Sequence, residues 1–142
     1  MMMSISVNGT PAPQGSKRHM GNGIMVESSK KVKPWRQDVR FAAEEAKPDD
    51  WDATGAMAFE AVFCHARPKK HFKSNGTLRD DAPVYVTSKG AGDIDKIVRA
   101  TLDALTSSGV IFDDSQIVRL QVTQLYGPPG ATMYLRRLTD HL

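Results

Sequence analysis

Between Gly92 and Gln116 the chain reads Gly-Asp-Ile-Asp-Lys-Ile-Val-Arg-Ala-Thr-Leu-Asp-Ala-Leu-Thr-Ser-Ser-Gly-Val-Ile-Phe-Asp-Asp-Ser-Gln, and this stretch limits the fold more than any other. Ile94, Ile97, Val98, Thr101, Leu102 and Leu105 recur at the offsets of one helical face. Asp95, Arg99 and Asp103 follow one another at steps of four and form a second, polar stripe. Gly109 stops the helix, Val110, Ile111 and Phe112 form a short buried run, and Asp113 and Asp114 then stand side by side. One buried helical unit therefore carries carboxylates at both ends.

Two residues apart on a helix is about 200° of rotation, so Asp93 and Asp95 inside one helix would face apart. If Asp93 precedes the helix in extended backbone and Asp95 lies in its first turn, both side chains can converge, and Gly92 eases the bend. Asp113 or Asp114 can join them if the second segment returns beside the helix start. Three carboxylates and no softer ligand suit a hard cation such as Mg²⁺ or Mn²⁺, which can polarise a phosphoryl oxygen and activate water. The structural alternative is plainer. Asp93 can serve as an N-cap, Asp95 can answer the helix dipole, and Asp113-Asp114-Ser115 can be an ordinary polar turn.

A chain of 142 residues suits one domain with a real core, spanning residues 1–142. A net charge of +3 is mildly basic. No run approaches 18 apolar residues and no signal peptide is expected, so neither is a membrane partner. The single cysteine, Cys64, excludes an internal disulfide and a Cys-rich zinc site, and a cytoplasmic location is the simplest expectation.

Along the chain, residues 3–8 read as a strand. The loop from Asn8 to Arg18, rich in Gly and Pro, ends in Lys17, Arg18 and His19 and either contacts DNA phosphates or is a solvated turn. Residues 20–28 predict a hairpin turning at Gly21-Asn22-Gly23, with Ser28 and Ser29 as caps for a helix over 32–46 in which Trp35 is a core anchor. The first forty residues hold seven Lys or Arg against two acids, which points to a basic patch on the N-terminal half, with scattered solvated lysines as the alternative. Residues 47–52 read as a solvated loop despite three aspartates. Residues 56–66 alternate as a strand that sends Cys64 and His65 to opposite faces, disfavouring a shared metal site or a Cys–His pair. Residues 67–91 form a long irregular segment carrying Arg67, Lys69, Lys70, Lys73 and Arg79, suited to a basic arm that orders on a DNA backbone and leads to Asp93. Residues 116–126 predict a strand with Val118, Leu120 and Val122 inward, and 131–138 a strand returning as its hairpin partner. The element order implies an α/β (α+β) fold: two main helices on a mixed or mostly antiparallel sheet.

The run from Gly92 to Leu105, followed by Gly-Val-Ile-Phe-Asp-Asp-Ser-Gln-Ile-Val, resembles the RusA family of Holliday junction resolvases. That family carries an Asp-x-Asp-Asn motif, a helix ending Asp-Ala-Leu and an Asp-Asp-Ser/Ala-Gln motif. It also has a Gly-x-Pro-x-Pro loop with basic residues after its first strand, similar to the loop from Gly9 here. The resemblance implies a Mg²⁺-dependent endodeoxyribonuclease, with Mn²⁺ as substitute. Such an enzyme acts as a homodimer, cutting four-way junctions by paired nicks in DNA recombination and repair. It places the catalytic and metal-binding carboxylates on Asp93, Asp95 and Asp114, with Asp113 the neighbouring acid and Asp103 the acid on the helix. Lys96 stands where the family has Asn, Arg99 where it has a Lys thought to assist the chemistry, and Gln124 where another Lys is often found. Arg99 keeps a positive charge but cannot donate a proton, so it would clamp a phosphate or orient Asp95. Lys96 would join Lys17, Arg18, Arg67, Lys69, Lys70 and Lys73 in contacting DNA. One rival is a non-catalytic binder of branched or single-stranded DNA whose carboxylates are caps and turns. A weaker rival is a hydrolase of small phosphoesters. The absence of a Gly-Lys-Ser/Thr phosphate loop argues against an NTPase, and Asp93-x-Asp95 does not continue into a calcium loop.

Overall fold

Strict alternation of apolar side chains builds the sheet. In β1 (Met2–Asn8) Met3, Ile5 and Val7 are buried, in β4 (Met57–His65) Met57, Phe59, Ala61 and Phe63, and in β6 (Gly130–Arg137) Met133 and Leu135. The computed structural model describes residues 1–15, 17–19, 25–27 and 30–139, with the backbone alone for 17–19 and 25–27. Two amphipathic helices, α1 (Val32–Ala46) and α2 (Ile94–Ser108), pack on each other and on the buried face of the sheet. Trp35 of α1 is 1% exposed, meets Phe63 edge-on at 6.2 Å and donates its indole N–H to Thr101 Oγ1 of α2 at 3.1 Å. A polar pair thus fixes how the helices lie inside an otherwise apolar core. Gly109 ends α2 in the left-handed conformation (φ 84°), as the sequence predicts.

The four-stranded sheet has the order β1-β6-β4-β5, where β5 is Ile117–Tyr126. β1–β6 and β6–β4 are antiparallel and β4–β5 is parallel, so the sheet is mixed and the fold α+β. A short separate hairpin joins β2 (Lys17–His19) to β3 (Met25–Glu27). The expected hairpin therefore forms but begins earlier, taking Lys17 and Arg18 into a strand. Its turn at Gly21-Asn22-Gly23 and the expected caps Ser28 and Ser29 lie outside the described residues, and the N-cap of α1 is Lys31. Among the described residues no helix is long and apolar enough to cross a membrane.

Two strand expectations fail. β5 and β6 are not hairpin partners, because β4 lies between them. The connection passes over the end of β4, where Gly127 N–H donates to His65 C=O at 2.9 Å. Two strand spacings are about 10 Å, within reach of the few extended residues from Gly127 to Pro129. Val118 and Leu120 do not point into the core: they are 63% and 50% exposed, and Ile117 and Val122 are the β5 residues packed against it. β5 is an edge strand, and the register shifts between Met57 and Ala58, which leaves an extra residue, Val118, in the ladder.

The 67–91 segment is irregular, as the sequence predicts, and is held by contacts of its own. Arg67 donates to Pro83 C=O at 2.7 Å, approaches His71 Nδ1 at 3.3 Å and lies 5.3 Å over the Tyr126 ring. His71 packs edge-on against the same ring at 4.7 Å. Phe72 and Leu78 bridge across a turn at Asn75-Gly76. Tyr126 anchors the loop because its ring takes a guanidinium over its face and meets an imidazole at right angles.

Candidate metal and nucleic-acid site

Asp93 precedes α2 in extended backbone (φ −76°, ψ 140°) and Asp95 lies in the first turn, the arrangement that lets both carboxylates converge. Gly92 makes the bend with φ 92°. A side chain there would also collide with Pro13, which packs on it from the N-terminal loop. Gln14 N–H donates to Lys96 C=O at 3.1 Å. The loop leading to Lys17 and Arg18 is thereby seated on the first turn of α2, beside the two aspartates.

Asp93 does not spend its carboxylate as a cap. It makes no side-chain capping bond, is 68% exposed, and is approached by the Lys96 ammonium at 3.5 Å. Asp95 and Arg99 are exposed on the next turns. Asp93 and Ile94 line a cleft of about 390 Å³ with Ser88 and Lys89 on one side and Val122, Thr123 and Gln124 of β5 on the other. Gln124 Oε1 lies 2.7 Å from His65 Nε2. Burial pushes the His65 pKa down, so the ring is neutral and donates its Nε2–H, leaving the Gln124 amide N–H groups for the cleft. Sequence reasoning missed Lys89 because it stopped the basic segment at Arg79. The signal was there, a lysine four residues before Asp93 in a Ser-Lys-Gly turn.

The second acidic end differs. Asp113 accepts from Ser115 N–H at 2.8 Å and caps a 3₁₀ turn at Asp114–Gln116, while Gln116 Oε1 accepts from the backbone N–H of Asp113 at 3.0 Å. The hydrogen bonds from Ser115 hold its carboxyl below the usual range. Asp114 is pushed up, first by its hydrogen bond with the Asp113 carboxyl, then by partial burial and the charges of Asp113 and Asp103. Asp113 thus makes the cap, while Asp114, which also takes a backbone hydrogen bond from Ser115, sits in a field of repelling carboxylates.

The two ends do not meet in one chain. Asp103, in electrostatic reach of Asp114, is two turns past Asp95, about 12 Å of helix. Among the described residues no group of three or more His, Cys, Asp or Glu is close enough to hold a metal ion. Hard carboxylate oxygens at both ends nevertheless suit a cation such as Mg²⁺, which needs only one or two carboxylates beside water and phosphate oxygens.

The basic residues also separate. Lys69, Lys70 and Lys73 are exposed, and Lys70 borders a cleft of about 300 Å³ with His71, Arg79 and Asp81. Arg67 is committed to Pro83, His71 and Tyr126 and holds the loop together. The side chains of Lys17 and Arg18 lie outside the described set.

No curated protein matches the chain, but the family model for endodeoxyribonuclease RusA matches residues 8–135. That span takes in the N-terminal loop, both acidic ends, β4, β5 and most of β6, and the chain belongs to the RusA endodeoxyribonuclease family.

Proposed function

We propose that the chain is a Mg²⁺-dependent, structure-specific endodeoxyribonuclease that resolves Holliday junctions as a homodimer by paired nicks, in DNA recombination and repair. The observation that carries this is the Asp93–Asp95 pair, exposed beside a cleft and unspent on capping, in a chain of an endodeoxyribonuclease family. Asp93, Asp95 and Asp114 would hold the metal, which when bound would polarise the scissile phosphate and lower the pKa of a water. Lys96 orients Asp93. Arg99 clamps a phosphate oxygen, and Gln124, fixed by His65, donates to another. The exposed lysines and the docked N-terminal loop bind the duplex arms through their phosphates.

The open edge of β5 supports the dimer. Val86 N–H donates to Gln124 C=O at 3.2 Å and Tyr126 N–H to Val84 C=O at 3.0 Å, so residues 84–86 cover only the far end of this edge. By alternation Leu120 and Val122 direct their backbone groups outward, and among the described residues no strand pairs with them there. Phe112, Val118 and Leu120 are exposed along the same border. Two such edges paired antiparallel about a two-fold axis would satisfy these groups and cover the apolar side chains. That pairing sets the Asp114 end of one β5 alongside the Gln124 end of the other, where Asp93 lines the cleft. Acids separated within a chain would then meet between chains, and paired sites would make paired cuts.

The rival is a non-catalytic binder of branched or single-stranded DNA, favoured because no three carboxylates cluster among the described residues of one chain. Incubation with a synthetic four-way junction and a matched linear duplex, in Mg²⁺, Mn²⁺ or chelator, separates the two. Metal-dependent paired nicks in the junction alone, absent in Asp95→Asn, are expected. Tight junction binding with no cleavage in any metal would establish the binder.

A further inference from the structure

The face of the main sheet turned away from the helices carries a second, unassigned site. The register sets two rows of side chains across it. Met2, Arg136, Ala58 and Arg119 form one row, and Ser4, Tyr134, Glu60 and Gln121 the next. Ala58 is the small floor between two arginines whose strands lie about 10 Å apart. Around it opens a cavity of about 330 Å³, bordered by Arg119, Arg136, Glu60, Gln121 and Tyr134. That is at the size where small-ligand sites begin.

These groups are held in reserve. Among the described residues neither Arg119, Arg136 nor Glu60 has an oppositely charged partner within the 4.0 Å range of the ion pairs found elsewhere. Arg137, one residue on and facing the other way, is by contrast tied to Thr54 C=O at 2.8 Å and Asp52 at 3.3 Å. Tyr134 is 38% exposed, and the row beyond it (Ser6, Thr132, Val62, Thr123) has only short side chains, so its ring stands clear on that side. A face this polar is poorly suited to packing against another protein core.

We infer that this cavity binds one nucleotide of a single DNA strand whose base carries an exocyclic amino group. The unpaired Arg119 and Arg136 offer planar forks to its flanking phosphates. Tyr134 offers a ring face on which a base stacks. The Glu60 carboxylate only accepts hydrogen bonds, so it selects an amino donor such as cytosine N4, and thymine has none. Gln121 can serve either edge of the base. The site shares no lining residue with the acidic cleft and does not depend on cleavage there. It would hold an unpaired strand while the acidic face holds duplex.

The test is residue-resolved amide NMR of the full chain in chelator, titrated with (dC)₈ and (dT)₈. Saturable shifts at Ala58, Glu60, Gln121 and Tyr134 are expected with (dC)₈, at an affinity about tenfold above (dT)₈. Arg119→Gln with Arg136→Gln should abolish them while leaving the rest of the spectrum in place. No saturable shift at these residues, or equal affinity for the two strands, would overturn the inference. So would shifts at Tyr134 that follow protein concentration without DNA, since a second copy would then be the occupant. Junction binding and cleavage are read separately, so failure here leaves the nuclease reading standing, and the reverse holds too.

Discussion

Asp93–Asp95 and Asp113–Asp114 look alike in the sequence, as close pairs of acids at the borders of one helix, but the fold treats them differently. At the first pair the cap position is occupied and the capping bond is not made, so the carboxylate faces solvent and Lys96. At the second, one acid is consumed as a cap and its neighbour is left in the field of two other carboxylates, Asp113 and Asp103. An acid at a helix border is therefore not assigned by position. It is assigned by whether the local backbone N–H groups take its oxygens.

The sharpest way to break this comparison is to neutralise the free acids and the capping acid separately. Asp95→Asn and Asp114→Asn should each lower junction cleavage by about 100-fold or more while leaving junction affinity intact. Asp113→Ala should instead lower stability through the lost cap, and spare most of the cleavage at a temperature where the chain stays folded. Thermal unfolding and nicking rates on the same three variants decide it. Equal cleavage losses with equal melting shifts would show that the two pairs are not distinct.

Next in size is the edge that would bring the pairs together. Leu120→Lys puts a charge at the centre of the free β5 edge, where the leucine is half exposed and little core is lost. Sedimentation should report a monomer, and cleavage should fall with it by at least about tenfold, with the melting temperature of the monomer little changed. A dimer that survives the substitution would move the interface elsewhere and leave the two acidic ends unconnected.

How much of this was legible in advance depends on the range of the interaction. α2, its glycine stop, the bend at Gly92 and the placement of Asp93 before the first turn are all short-range, and the sequence pattern carries them. Trp35 was legible as a core anchor by its period, but its partner Thr101 was not, since 66 residues separate them. The inward reading of Val118 and Leu120 failed because alternation reports which face a residue occupies, not whether a helix covers that face. The β5–β6 hairpin failed because a short Gly-Pro-Pro-Gly connection looks the same whether it joins neighbours or passes over the end of a strand between them. The family resemblance rested on the acids and their spacing, which survive both errors.

A smaller effect tests the Lys96 contact. Lys96→Asn restores the family residue and releases Asp93 from an ammonium that is itself only partly buried, in an exposed pair of the kind that contributes little to stability. The melting temperature should hardly move. Cleavage should change by less than about tenfold, and the metal concentration giving half-maximal rate should fall, because a cation no longer competes for the carboxylate. An unchanged metal dependence would mean that Lys96 and the metal do not share Asp93.

The smallest effect is the pH dependence of stability, and it separates the two ends by their windows. His65 is buried and neutral, so its folded pKa lies below the ordinary value of 6.5. Below pH 6.5 the unfolded chain binds a proton that the fold resists, so its contribution is complete above that pH and is lost as pH falls toward the folded pKa. His71 adds the same sign, its pKa lowered by burial and by Arg67 and Lys70. Asp113, lowered by its bonds from Ser115, keeps its contribution down to about its ordinary 3.8 and loses it only below that. Asp114, raised beside it, acts in the opposite sense just above 3.8 and offsets part of the decline. Melting temperatures taken from pH 7.5 to 5 should therefore fall, with a shallower slope in His65→Gln, while the capped turn registers only in stronger acid. A slope unchanged by His65→Gln would mean that the ring is not held neutral against Gln124, and the cleft end would lose the device that sets it apart from the turn.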